Sequence, residues 1–406
     1  MITVLLIIIY LSFISLGLPD TLLGSSWPVM QQELGVPLSY AGIASMVISG
    51  GTILSSFFSG FVIKLFGTGK VMVFSVFLTA AALLGIAFTP NFMILCLLGI
   101  PLGLGGGAVD AALNNFVAIH FKARHMSWLH CFWGIGASSG PIILSLFLAK
   151  ENGWKWGYGT VGGIQFVLVA ILFLSLPLWK IVEKEENNLG LSKKLNNEEM
   201  DQTSSRPRSM KLAEVFRLKS AKATMITFFT YCAVEVTVGL WGSTYFVHVR
   251  GIEVNTAAKW ISFYYMGITV GRFVSGLLTV KVNNKNMIRM GEIISATGIM
   301  MMLLPLSNIF LMTGLILTGL GFAPIYPCML HETPKRFGKD LSQQVMGMQM
   351  AIAYTGNTLV PPLFGLVAQY ISIGWYPGFL LFFMVIMIVA AEVLNLNINI
   401  RKIVIK

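Results

Sequence analysis

EKEENNLGLSKKLNNEEMDQTSSRPRSMKLAEVFRLK, residues 183–219, is the one long hydrophilic stretch in a chain of 406 residues. It is mixed in charge and too polar to bury. On either side the sequence runs in apolar stretches of about 20 residues or more, each long enough to cross a ~30 Å hydrocarbon core at ~1.5 Å per residue. Polar breaks place six spans before it, near 2–31, 38–65, 70–89, 91–119, 125–149 and 157–181. Six more follow, near 221–249, 254–281, 287–305, 307–331, 340–371 and 374–399. The reading is an all-α membrane protein: twelve transmembrane helices in two six-helix bundles, 1–182 and 220–406, joined by the linker 183–219. Within that linker Lys211–Leu218 (KLAEVFRL) reads as a short amphipathic helix on the membrane surface.

Composition agrees. The chain is 55% hydrophobic and 11% charged, against about 25% charged in a soluble domain. That excludes a soluble enzyme, a secreted disulfide scaffold and a nucleic-acid-binding domain. Cys96, Cys131, Cys232 and Cys328 all lie in apolar runs, without a CxxC pair or a His at ligand spacing, so they read as small buried hydrophobes and no metal site is expected. The N-terminal MITVLLIIIYLSFISLGLPD has no Lys or Arg ahead of its apolar run and no small-residue cleavage site, so it reads as the first span.

The net charge of +11 is explained by its placement. With twelve spans, both termini and the linker share one side, which carries 23 of the 28 Lys and Arg. The other side holds Lys150, Lys155, Arg250 and Lys259, and Arg272 alone lies within a span. The positive-inside rule puts both termini and the linker in the cytoplasm, in a multi-pass protein of the cell membrane.

The two halves repeat. Gly51-Thr-Ile-Leu-Ser55-Ser-Phe-Phe-Ser59-Gly60 matches Gly267-Ile-Thr-Val-Gly271-Arg-Phe-Val-Ser275-Gly276 at an offset of 216, and Gly103-Leu104-Gly105 matches Gly319-Leu320-Gly321 at the same offset. Asp20 corresponds to Glu235, with Gly24 and Gly239 following each, and Gly136 and Pro141 correspond to Gly356 and Pro361. Four matches in order argue that a six-helix unit was duplicated, giving two pseudo-symmetric bundles.

Ionisable groups inside spans are expensive and mark cavities or partners. Three acids lie well inside: Asp20, Asp110 and Glu235, the candidates for proton or cation coupling. Arg272 is expected to pair with Glu235 or with an acid near the cytoplasmic face. Asp110 and Asn114, at i and i+4 with Gly103, Gly106 and Gly107 nearby, predict an open polar face able to hold a sugar hydroxyl, a proton or a hydrated Na⁺. Asp20 follows Pro19, which loosens the first span, and Trp27 lies two turns on; a carboxylate beside an aromatic face suits carbohydrate, while a Trp near a span end also serves as an interfacial anchor. His130 with Trp133, Tyr231 with Glu235, Tyr326 at the place of Asp110 in the second half, and Gln349 with Asn357 complete the candidate substrate contacts. A central cavity lined by Asp20, Asp110, Asn114, His130, Glu235, Gln349 and Asn357 is expected. No Walker A sequence, metal-ligand cluster or nucleophile elbow appears, so the chain reads as a carrier needing no cofactor beyond its coupling ion, and not as an enzyme.

Two parallel six-helix repeats with a long linker resemble the major facilitator superfamily, whose substrate site lies near the midplane between the halves. GLGGGAVDAALNNFVAIHF (103–121) followed by WLHCFWGIGASSGP (128–141), and GMQMAIAYTGNTLVPPLFG (347–365), are similar to the fucose:proton symporter family within it. The resemblance implies that spans 2 and 11, and 5 and 8, close the two ends of the cavity. It implies a hexose-like sugar carried with H⁺, or with Na⁺ as in some animal members, and sugar-binding and proton-coupling roles for Asp20 and Asp110. One departure stands out: the superfamily's loop between spans 2 and 3 carries an acid where this chain has Lys64, so its usual charge latch is missing or rewired. The competing reading is a proton-driven exporter of amphipathic compounds, with Met and Phe lining a greasy pocket. A monomer in the lipid bilayer, binding one small solute, is expected on either reading.

Overall fold

A computed structural model describes residues 2–121, 123–197, 219–279, 281–337 and 339–404. Among them there is no strand. The first span is two helices, α1 (Ile2–Asp20) and α2 (Leu22–Glu33), and α3 (Tyr40–Phe66), α4 (Thr68–Ala87), α5 (Phe92–His120), α6 (Ala123–Ser145) and α7 (Gly153–Asn197) complete the first half. The second half holds α8 (Lys219–His248), α9 (Val254–Leu278), α10 (Asn284–Leu303), α11 (Asn308–Phe337), α12 (Lys339–Val367) and α13 (Tyr376–Val404).

Nine stretches of the described residues are long and apolar enough to cross a membrane. One of them, Val345–Leu396, has 52 residues and would be about 78 Å long as a single helix, far more than one crossing needs. It is two spans: the helix gives way to a π turn at Ala368–Ser372 and a 3-10 turn at Ile373–Trp375, with Ser372 extended at φ −174°. α6 and α10, of 23 and 20 residues, are long enough to cross and complete the twelve transmembrane helices. Helix α7 runs on to Asn197, through the first part of the segment read as linker, because after Pro177 the only breaker is Gly190. The expected surface helix at Lys211–Leu218 lies outside the described residues.

Duplication is visible at atomic contacts. A Cβ on Gly103 of α5 would lie 2.0 Å from the Ile48 carbonyl oxygen of α3, and one on Gly319 of α11 would lie 2.1 Å from that of Tyr264 of α9. Both pairs are 216 residues apart. The return contact repeats as well: Gly51 faces the Ile100 oxygen at 2.9 Å and Gly267 that of Ile316 at 2.7 Å. These helices touch backbone to backbone, which only small residues permit.

Prolines set the remaining local geometry. A helical proline leaves the carbonyl four residues earlier without its donor. Pro19 frees the Ser15 carbonyl, which accepts from Gln165 Nε2 of α7 at 2.8 Å. Pro141 frees the Ala137 carbonyl, which accepts from Thr21 Oγ1 at 3.1 Å. Thr21 is the joint between α1 and α2, so one proline breaks the first span near its middle and the other supplies the acceptor that holds the break.

The halves meet at the end opposite the linker. Gly24 of α2 packs on Gly239 of α8, and Gly42 of α3 on Pro362 of α12. Ser243 Oγ donates to the Ser25 carbonyl at 3.3 Å, and Ser39 N to Gln369 Oε1 at 3.4 Å. Nearer mid-membrane, Gly134 of α6 meets Thr269 of α9.

Candidate functional site

Between the halves lies a cavity of about 400 Å³, with walls from both, within the range of small-molecule sites. Asp20 stands at the break in the first span and is exposed although far from either end, because its carboxylate opens into this space. Trp133 Nε1 of α6 donates to Asp20 Oδ2 at 2.8 Å. The Arg272 guanidinium of α9 sits 5.4 Å from the centre of the Trp133 ring, a cation–π contact across the interface. Arg272 Nη2 in turn lies 3.6 Å from Glu235 Oε1 of α8, both side chains mostly covered. Four residues thus string charge and ring from the first half to the second.

Asp110 enters from α5. Asn114 Nδ2 donates to Asp110 Oδ1 and to the Asp110 carbonyl, both at 2.9 Å. The main-chain oxygen can only accept, which fixes the amide with its nitrogen toward the acid. Asn114 therefore steadies Asp110 and is not itself on the wall. Of the glycines expected to open this face, Gly106 lines the cavity, whereas Gly103 and Gly107 are taken up in packing against α3.

His130, Trp133, Tyr326 and Asn357 line the cavity as expected, with the three acids. His130 stands edge-on to Phe13 at 5.9 Å, and Tyr326 Oη donates to Met350 Sδ at 2.9 Å. The Asn357 oxygen is buried without a hydrogen-bond partner.

Besides Asn114, three expected contacts lie elsewhere. Trp27 is fully buried at the sealed end, donating to the Leu38 carbonyl at 2.9 Å. The lining face of Asp20 continues through Leu23 and Gly24, but Trp27 lies a turn beyond the cavity, and being fully buried it is neither a cavity wall nor an interfacial anchor. Tyr231 is buried behind the wall, its ring against Phe322 and Tyr326. Gln349 is buried in a reciprocal pair with Thr333 Oγ1 at 3.0 and 3.2 Å, tying α12 to α11. Eight residues of helix turn about 80° past two full revolutions, enough to swing Gln349 away from the face of Asn357.

Other wall residues escaped the sequence reading: Gln165 with Thr79, whose Oγ1 donates to Gln165 Oε1 at 2.8 Å, and Tyr265 and Tyr354. A single amide in the apolar run of the sixth span was the available signal for Gln165. The two tyrosines sit in mixed aromatic stretches that offer none.

The Major Facilitator Superfamily profile matches residues 9–361, and again 260–396. The chain belongs to the major facilitator superfamily. This transporter is 20% identical over 366 residues to the glucose/mannose transporter GlcP of Bacillus subtilis (strain 168), covering 88% of this chain and 86% of that one. It is 22% identical over 406 residues to Bypass of stop codon protein 6 of Saccharomyces cerevisiae (strain ATCC 204508 / S288c), covering 90% and 77%. Its fold is that of a crystallised D-xylose-proton symporter, with a TM-score of 0.71 at 14% identity over 95% and 97% of the two chains. The superfamily's latch acid is Lys64 in this member, and Lys64 is exposed. In the second half Asn284 Nδ2 of α10 donates to Glu332 Oε1 of α11 at 2.7 Å, a polar tie between those helices.

Proposed function

We propose that this transporter is a secondary active symporter that moves a hexose-like sugar with H⁺ by alternating access, the site lying between residues 1–182 and 220–406. The observation that carries the reading is the shared cavity in which Asp20 and Asp110 stand among an indole, tyrosines, hydroxyls and amides. Sugar C–H faces stack on aromatic rings while hydroxyls bond to acids and amides. Likeness to a glucose/mannose transporter supports the same solute class.

Asp110 is the proposed coupling group, with Asp20 and Glu235 as the other coupling acids. A bare carboxylate is costly in a closed, low-dielectric cavity and the neutral acid is not, so closure with substrate favours the protonated site. H⁺ is preferred over Na⁺ because Asn114 turns its amide nitrogen, not its oxygen, toward Asp110; a Na⁺ site needs converging oxygens. On the positive-inside reading the linker side is cytoplasmic, so a structure sealed at the opposite end is the inward-facing state of a protein that works as a monomer in the cell membrane.

Uptake of labelled glucose and mannose into proteoliposomes, with imposed H⁺ or Na⁺ gradients, tests the proposal. Accumulation driven by H⁺ alone is expected. Accumulation driven only by Na⁺ would overturn the coupling ion, and export of amphipathic compounds without sugar uptake would overturn the solute class.

A further inference from the structure

Trp133 touches charged groups of both halves at once. Its N–H holds Asp20 at 2.8 Å, and its ring face holds the Arg272 guanidinium at 5.4 Å. Arg272 comes only to 3.6 Å of Glu235, too far for a hydrogen bond, and Glu235 Oε1 is left buried without a hydrogen-bond donor. The guanidinium is divided between an indole of the first half and a carboxylate of the second.

We propose that Trp133 is a positioning residue that transmits the charge on Asp20 to the Arg272–Glu235 pair across the interface between the halves. With Asp20 ionised, the N–H···O⁻ bond is charge-assisted and fixes the ring plane, and the ring keeps Arg272 short of Glu235. When cavity water delivers a proton to Asp20, that bond loses its charge assistance and the indole is free to turn. Arg272 then moves onto the carboxylate oxygen that lacks a donor. Proton binding to one carboxylate is the only chemical change. The link lets an event in the first half alter a contact wholly within the second, through a ring that spans the gap.

The charged and titratable groups facing this string are Asp110 from α5, His130 and Cys131 from α6, Cys232 and Glu235 from α8, Tyr264, Tyr265 and Arg272 from α9, and Tyr326 and Tyr354 from α11 and α12, with Tyr231 of α8 beside both Glu235 and Arg272. What α3, α4 and α7 add to the cavity is Ser and Thr hydroxyls, the Gln165 amide and apolar groups. Asp110, His130 and Glu235 are the groups whose own titration would be confused with that of Asp20, and Asp20→Asn separates them from it. The inference rests on the proton-coupled reading above, but not on which solute is carried.

The test needs no solute. The full chain in detergent micelles, labelled with ¹⁵N in Trp and Arg, is titrated from neutral to acidic pH. The Trp133 indole resonance and the Arg272 Nε–H resonance should move together in the native protein and in Asp110→Asn, and both should stay fixed in Asp20→Asn. In Trp133→Phe, which keeps a ring but loses the N–H, Arg272 should lose its pH response. An unchanged Arg272 response in that variant, or a Trp133 resonance indifferent to pH in the native chain, overturns the proposal. Should Trp133→Phe fail to fold, the link is read from the other end: Arg272→Gln must displace the midpoint of the Trp133 titration, and an undisplaced midpoint overturns it. Loss of proton-driven uptake would strike the coupling reading alone, since these resonances report without transport.

Discussion

Gly24 and Gly239 meet where the first spans of the two halves cross, so closely that a Cβ on Gly24 would lie 2.2 Å from the Gly239 carbonyl oxygen. One turn before each stands a member of the charged string, Asp20 and Glu235. The seal and the string therefore share their spans, and parting one moves the other.

Gly24→Leu should hold that end open. Overpacking a tight contact costs about 1–3 kcal/mol, which shifts the population of the sealed state by a factor of roughly 5 to 140. Cys232 lines the cavity, so its labelling by a membrane-impermeant thiol reagent applied from the side opposite the linker, in a chain with the other three cysteines replaced, should quicken by a similar factor. Unaltered labelling would show that the glycine crossing does not close the cavity.

Asp110→Asn mimics the protonated acid. It should abolish accumulation of sugar against a gradient while equilibrium exchange and some binding persist. A variant that still concentrates sugar under a proton gradient would move the coupling role to Asp20 or Glu235.

Removing one member of the Arg272–Glu235 pair leaves the other charge in a mostly covered place. Arg272→Gln or Glu235→Gln should each lower stability in detergent by up to about 3 kcal/mol, with the double variant recovering much of the loss. Additive losses in thermal unfolding would mean that the two do not act as a pair.

Gln165→Leu strips the donor from the Ser15 carbonyl and should cost about 1–3 kcal/mol. Restoring an N–H four residues on with Pro19→Ala should recover part of that cost. The same substitution made alone sets an N–H competing with Gln165 and straightens the first span. A double-variant cycle on thermal unfolding reads the coupling directly.

A cysteine introduced at Ser204 should react with an impermeant reagent only in inside-out vesicles. Reaction from outside intact cells would reverse the topology.

Span count, duplication and the three acids within the spans were legible because each rests on local pattern: apolar length, a repeated glycine register, and the cost of charge in lipid. What failed was depth and rotation. Trp27 was placed by its face alone, and it lies beyond the cavity at the sealed end; Gln349 was placed by treating eight residues as a whole number of turns. Gly103 and Gly107 were read as open because a glycine leaves space, whereas α3 had taken that space. The string through Trp133 was out of reach because its members come from four helices, and only packing decides that an indole on one half faces a guanidinium on the other.

The contact that Gly103 makes with Ile48 recurs at Gly319 and Tyr264 almost to the tenth of an ångström, and this gives the molecule its own internal control. Any substitution at one site has a twin at the other, in matched surroundings and in the same chain. Where twin lesions behave alike, the residue belongs to the common scaffold. Where they diverge, the difference isolates what each copy has acquired since it was doubled, separating the labour of the half that carries Asp110 from that of the half where Tyr326 stands in its place.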